Sequence, residues 1–235
     1  MEQIIPETRQ TWTVADAVIA VLAGLGAAVV AGVALGTAEP STLQVFGVIV
    51  PAQTLTTIGM IYALAVRRGM APAPALGLAF RPVDLLGFAH GFGIQIGLGM
   101  IVLLLTEVFG IDFETQQVVQ EAEEAASSID RALVVLGAGI LAPVAEELAF
   151  RGVALRALLA RTGAVAAVVW SSAAWALLHL LDPNAGLLVP LFFAMGLVLG
   201  GITVRSGRIT QALLAHITFN MISVVALLAC EGGSC

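Results

Sequence analysis

Three short polar clusters interrupt otherwise apolar stretches in the C-terminal half of the chain. Glu146, Glu147 and Arg151 lie in PVAEELAFRG, Trp175 and His179 in WALLHLLD, and His216 and Asn220 in LLAHITFN. Residues four apart share one face of a helix, so Glu147 can pair with Arg151, Trp175 sits beside His179, and His216 beside Asn220. Pairing Glu147 with Arg151 neutralises one acid and leaves Glu146, about 100° round the helix, free for other work. A carboxylate beside imidazoles in a partly dry cavity can polarise a water molecule and take its proton. Asn220 and a histidine can donate hydrogen bonds to a developing oxyanion. Glutamate and histidine are also zinc ligands, so a divalent metal, zinc first, is compatible with the set. The HExxH spacing that would demand zinc is absent, and no cofactor is certain. Ser171 and Ser172 precede Trp175 without a nucleophile-elbow motif, and no glycine-rich phosphate loop is present.

These residues need elements to hold them, and composition says which kind. The 235 residues are 59% hydrophobic and only 11% charged, with a mean hydropathy of +1.01. Soluble domains carry about 25% charge, so the bilayer must solvate most of this chain. Disorder and a disulfide scaffold are excluded. A net charge of −6 and a pI near 4.9 argue against nucleic acid as a partner. Cys230 and Cys235 stand at the end of the chain, where no structural role is expected. The first apolar run is too long for a signal peptide and its leader, MEQIIPETRQ, is not basic.

A span needs about 20 mainly apolar residues. Seven stretches qualify, at 12–36, 43–66, 83–109, 132–150, 164–181, 187–204 and 209–229. Alternation suited to a β-barrel is missing, so the expected fold is an all-α polytopic bundle of about seven transmembrane helices. All ten basic residues are arginine. Arg67, Arg68, Arg81, Arg156, Arg161, Arg205 and Arg208 fall in or beside loops on one side, with Arg131 dissenting. The positive-inside rule then puts the N-terminus in the cytoplasm and the C-terminus outside. Residues 114–129 have Val118, Ala122, Ala125 and Ile129 at helical spacing under an acidic face, which reads as an outer surface helix or an acidic linker. Gly93 with Gly97 and Gly196 with Gly200 suit close helix packing. No internal repeat is present.

Intramembrane charge costs at least ~2.5–3.5 kcal/mol per residue, yet spans four, five and seven carry two acids, an arginine, two histidines and an asparagine. Glu146 and His179 lie equally far from the turn at 162–163, about 24 Å along their helices. His216 reaches that level if the hairpin of spans four and five protrudes further into the cytoplasm. Pro143, one turn before Glu146, can loosen the helix where the acids sit.

The motifs Glu146-Glu147-x-x-x-Arg151, Trp175-x-x-x-His179 and His216-x-x-x-Asn220, in this order on three membrane helices, resemble the CPBP family of intramembrane proteases. That family includes the type II CAAX prenyl endopeptidases and bacteriocin-resistance proteins. The resemblance covers 131–229 and divides one integral membrane domain into residues 1–130, three helices plus the outer segment, and a CPBP-like core at 131–230. It implies an endopeptidase in a bacterial-type cell membrane that cleaves a membrane protein or peptide substrate within the lipid bilayer. Glu146, with His179, would activate water; His216 and Asn220 would steady the oxyanion; Arg151 would hold Glu147. The metalloprotease label and a metal-free glutamate-activated water both remain open, and the prenyl-protein substrate is not carried over.

Other readings stand beside it. Glu147–Arg151 can be an ion pair that only pins packing, and His216–Asn220 an interhelical hydrogen bond. His90 reads as a core or interface histidine, and the Trp175 ring as apolar filler. For the whole chain, a non-catalytic scaffold or immunity-type partner is the main alternative, with proton-coupled transport behind it. Transport fits less well because the acids cluster at one level and no two-fold repeat appears. The oligomeric state is open.

Overall fold

The computed structural model describes residues 11–230 and is all-helical over them. Seven helices are long and apolar enough to cross a membrane: α1 (Val14–Leu35), α2 (Thr42–Arg67), α4 (Pro82–Phe109), α6 (Ser128–Leu159), α7 (Ala164–Leu181), α8 (Pro183–Ser206) and α9, which spans Thr210–Ala229. Two short helices complete the order, α3 (Pro72–Leu76) and α5 (Gln117–Glu123). The chain is an integral membrane protein. Cys235 lies outside the described residues, as does the MEQIIPETRQ leader.

Local sequence sets the helix starts. Thr13 caps α1 reciprocally with Asp16, and Ser127 caps α6 reciprocally with Asp130. The fourth span exceeds its expected 132–150, running as one continuous helix of 32 residues. Two π segments, Gly137–Leu141 and Leu148–Ala154, bracket the stretch that carries the two acids. Pro143 supplies no backbone N–H, and the wider turn just before it accommodates that loss without ending the helix.

One apolar core joins the two halves of the chain. Trp12, Ile61 and Leu76 pack in the same cluster as Val153, Trp175 and Leu199. A second cluster sits under the outer segment, where Ala122 and Ala125 are buried with Phe46, Val134 and Val224. The surface helix therefore covers only 117–123 of the expected 114–129, and Ile129 is exposed. Burial holds the Glu121 carboxyl above its ordinary range, and repulsion from Glu124 and Glu39 adds to this.

The glycine pairs behave differently from one another. Gly196 and Gly200 lie tightly against Ser172 and Val168, which lets α8 close on α7. Gly93 and Gly97 face nothing within 4 Å, so their spacing makes no contact here. The close approach of α4 to α9 is made nearer the start of α4, where Gly87 and Gly91 meet the α9 backbone at Gln211 and Ala215.

Candidate active site

Side chains from α6, α7 and α9 meet inside the bundle. Glu147 and Arg151, both fully buried, pair along α6 with Arg151 Nη1 3.1 Å from Glu147 Oε1. The same oxygen lies 2.9 Å from His216 Nδ1 on α9. A carboxylate only accepts, so Nδ1 of His216 carries a proton and donates it to Glu147. This bond fixes the ring and turns its other nitrogen towards Glu146: Nε2 lies 3.8 Å from Glu146 Oε2.

Glu146 is the one acid of the pair that keeps access, with 31% of its side chain exposed. Its Oε2 accepts a 2.7 Å hydrogen bond from the Trp175 indole N–H. Trp175 is thus more than filler: a buried indole keeps its N–H partnered, and this one reaches an acid on the neighbouring helix. The ring is surrounded as well. The Arg151 guanidinium carbon lies 4.7 Å from the ring centroid, a cation–π contact. The rings of His179 and His216 meet it edge-on at 4.9 and 5.5 Å.

His179 stands at the end of the regular α7 helix and is half-buried. Its Nδ1 donates to the Trp175 carbonyl at 3.1 Å, leaving Nε2 as an acceptor in the neutral ring. Phe192 of α8, which carried no signal in the sequence, stacks on it at 4.1 Å between centroids. Asn220 makes no hydrogen bond to either acid. Its amide N–H donates at 2.8 Å to the carbonyl of Ala138, within the π segment that precedes Glu146. His90 is exposed on α4, with Nδ1 2.7 Å from the Leu86 carbonyl and 3.5 Å from the Gln211 side-chain nitrogen of α9, so it stands where these two helices meet and not in the core.

The buried part of the cluster is not fully satisfied. Glu147 Oε2, Arg151 Nε and Ser172 Oγ are buried without a hydrogen-bond partner, and Arg151 Nη1 has only its ion pair. A long 3.5 Å bond ties Arg151 Nη2 to the Gly196 carbonyl, the point where α8 closes on Ser172.

A catalytic zinc needs three protein ligands and an open position. Glu146 Oε2 and His216 Nε2 offer two facing donors, while Glu147 Oε1 already serves Arg151 and His216. Among the described residues, no three His, Cys, Asp or Glu side chains gather to hold an ion. The donor set therefore does not fit such a zinc centre.

What the arrangement can do follows from its lone pairs. With His216 neutral, its Nε2 and Glu146 Oε2 are both acceptors, 3.8 Å apart, and the Glu146 side chain is partly exposed. A water seated beside the pair, within reach of both atoms, can donate one hydrogen to each and turn its own lone pair outward. A family model described as type II CAAX prenyl endopeptidase Rce1-like matches residues 128–222, a stretch that contains all three motifs. No curated protein and no solved structure matches the chain.

Proposed function

We propose, taking residues 128–222 as a segment of the Rce1-like type II CAAX prenyl endopeptidase family, that this chain is an intramembrane endopeptidase using a glutamate-activated water. The observation that carries the reading is the 3.8 Å approach of His216 Nε2 to a half-exposed Glu146 whose other neighbour, Trp175, pins it in place.

In this mechanism a water donates hydrogens to Glu146 and His216 and attacks the carbonyl carbon of a peptide bond. The water's proton passes to Glu146 and the carbonyl becomes an oxyanion. In this reading a hydrogen bond from His179 steadies that charge. Glu146 then returns its proton to the leaving nitrogen as the C–N bond breaks. The acyl half keeps the water's oxygen. Arg151 acts through Glu147, which sets the tautomer of His216; neither touches the substrate. No step calls on a metal. The substrate is a membrane-associated protein or peptide, because the reacting groups open within helices that lipid surrounds. The orientation with the N-terminus in the cytoplasm is part of the proposal.

The test is a comparison of peptide termini in membranes from cells carrying wild-type protein or Glu146→Gln at equal abundance. The proposal expects a set of new termini that depends on Glu146, with cleavage falling about 10²–10⁴-fold in the variant. Identical termini in both strains would leave a scaffold as the better reading.

A further inference from the structure

Among the described residues, Arg68, Arg151 and Arg208 are anchored by carboxylates and Arg156 is not. Arg151 pairs with Glu147, Arg68 with Asp16 at 2.9 Å, and Arg208 with Asp84 at 2.7 Å. Arg156, in the last turn of α6, meets no carboxylate among the described residues. Its Nε donates to the Leu76 carbonyl at 3.2 Å and its Nη2 to the Gly207 carbonyl at 2.9 Å, both neutral acceptors. Among the described residues Nη1 has no hydrogen-bond partner. The group is nevertheless built in: Gly77, at a φ of +72°, leaves by its missing side chain the space that the guanidinium occupies.

Beside Arg156 opens a cavity of about 580 Å³, the size range of small-ligand sites. Trp12, Met70, Ala71, Pro74 and Ala75 form its apolar wall, and Arg156 is the charged residue lining it. Its walls are the start of α1, the connection that follows α2, and the end of α6. All three lie at the same end of the bundle, the end that also carries Arg67, Arg68, Arg81, Arg161, Arg205 and Arg208. Clustered arginines at the ends of spans suit the headgroup layer, as does an indole such as Trp12, which enters the wall bonded to the Ala75 carbonyl.

We propose that this cavity binds the headgroup phosphate of an acidic phospholipid, with Arg156 as its cation. The phosphodiester supplies the single negative charge that Arg156 lacks and accepts the N–H groups of Nη1. The apolar wall takes the glycerol shoulder and the first acyl carbons, which a free inorganic anion could not use. The bound lipid bridges α1, the α3 connection and α6, and so ties the N-terminal helices to the segment that carries Glu146. None of this depends on the proteolytic reading.

The experiment uses the full-length protein in phosphatidylcholine nanodiscs with and without phosphatidylglycerol, read by native mass spectrometry of retained lipid and by thermal unfolding. Wild type should retain one phosphatidylglycerol and unfold at higher temperature when it is present. Arg156→Gln should weaken retention about tenfold or more. Ala71→Phe, which fills the cavity but keeps the arginine, should do the same, and it decides the matter if Arg156→Gln does not fold. Arg205→Gln, an exposed arginine at the same end, should retain lipid as wild type does. Undiminished retention in both cavity variants would overturn the proposal. So would full displacement of the lipid by millimolar inorganic phosphate, which would reduce the site to a general anion contact.

Discussion

At the arginine-rich end each buried carboxylate has one guanidinium and a backbone N–H: Asp16 takes Arg68 and the Thr13 amide, Asp84 takes Arg208 and the Arg81 amide. In the middle of the bundle two carboxylates share one guanidinium and one imidazole, and buried polar atoms go without partners. The end pairs join α1 to α2 and α4 to the turn before α9, where matched charge serves assembly. The central cluster keeps an acid in excess and leaves it exposed on one side. A protein that needed only rigidity would have matched its charges there too. On the proposed function, that mismatch would leave Glu146 available to a water and a substrate.

Substitutions in the two regions should therefore split in kind. The largest effect on folding is expected from Arg151→Met, which strands Glu147 as a buried unpaired charge; unfolding in detergent should lose about 3–5 kcal/mol. Equal stability in that variant would mean the central pair is no more costly than the outer ones. Next comes Trp175→Phe, which keeps the packed ring but removes the indole donor to Glu146. Its turnover should drop about tenfold, and its stability should fall by at most the worth of a hydrogen bond to a charged group, ~1.5–3 kcal/mol. A smaller effect, about 1 kcal/mol of stability with turnover untouched, is expected for Asp16→Asn, whose partner Arg68 is 35% exposed and screened. Loss of turnover there would erase the distinction between the regions.

The smallest effect is electrostatic and lies outside the spans. Because Glu121 holds its proton more tightly in the folded protein than in the unfolded chain, its contribution to stability is present at low pH. That contribution is lost as pH rises through its elevated range. Glu121→Gln should raise the melting temperature slightly at neutral pH and leave it unchanged below about pH 4. A gain that persisted at low pH would point to packing instead of charge.

The sequence exposed much of this arrangement, and its gaps have physical causes. Seven spans were readable because hydropathy is summed over whole helices. Helical spacing showed that Glu147 could reach Arg151, since that contact lies within one helix. It could not show that His216 bonds the same oxygen, because the contact depends on how α9 sits against α6. The Trp175–Glu146 bond was hidden for the same reason, although a large buried indole in a membrane helix was a signal that a partner existed. Gly93 and Gly97 had the right spacing on the wrong face of α4, and only the packing of Gly87 and Gly91 on α9 distinguishes them. The bond from Asn220 to the Ala138 carbonyl was hidden too, because the π segment that presents that carbonyl leaves no trace in local sequence.

The most direct measurement is proteolysis in water enriched in oxygen-18, using membranes that contain the wild-type protein or Glu146→Gln. If Glu146 activates the attacking water, wild-type membranes will yield new peptide C-termini labelled with the heavy oxygen, and the variant will yield almost none. Labelled termini of the same identity and amount in the variant would show that hydrolysis proceeds without this carboxylate.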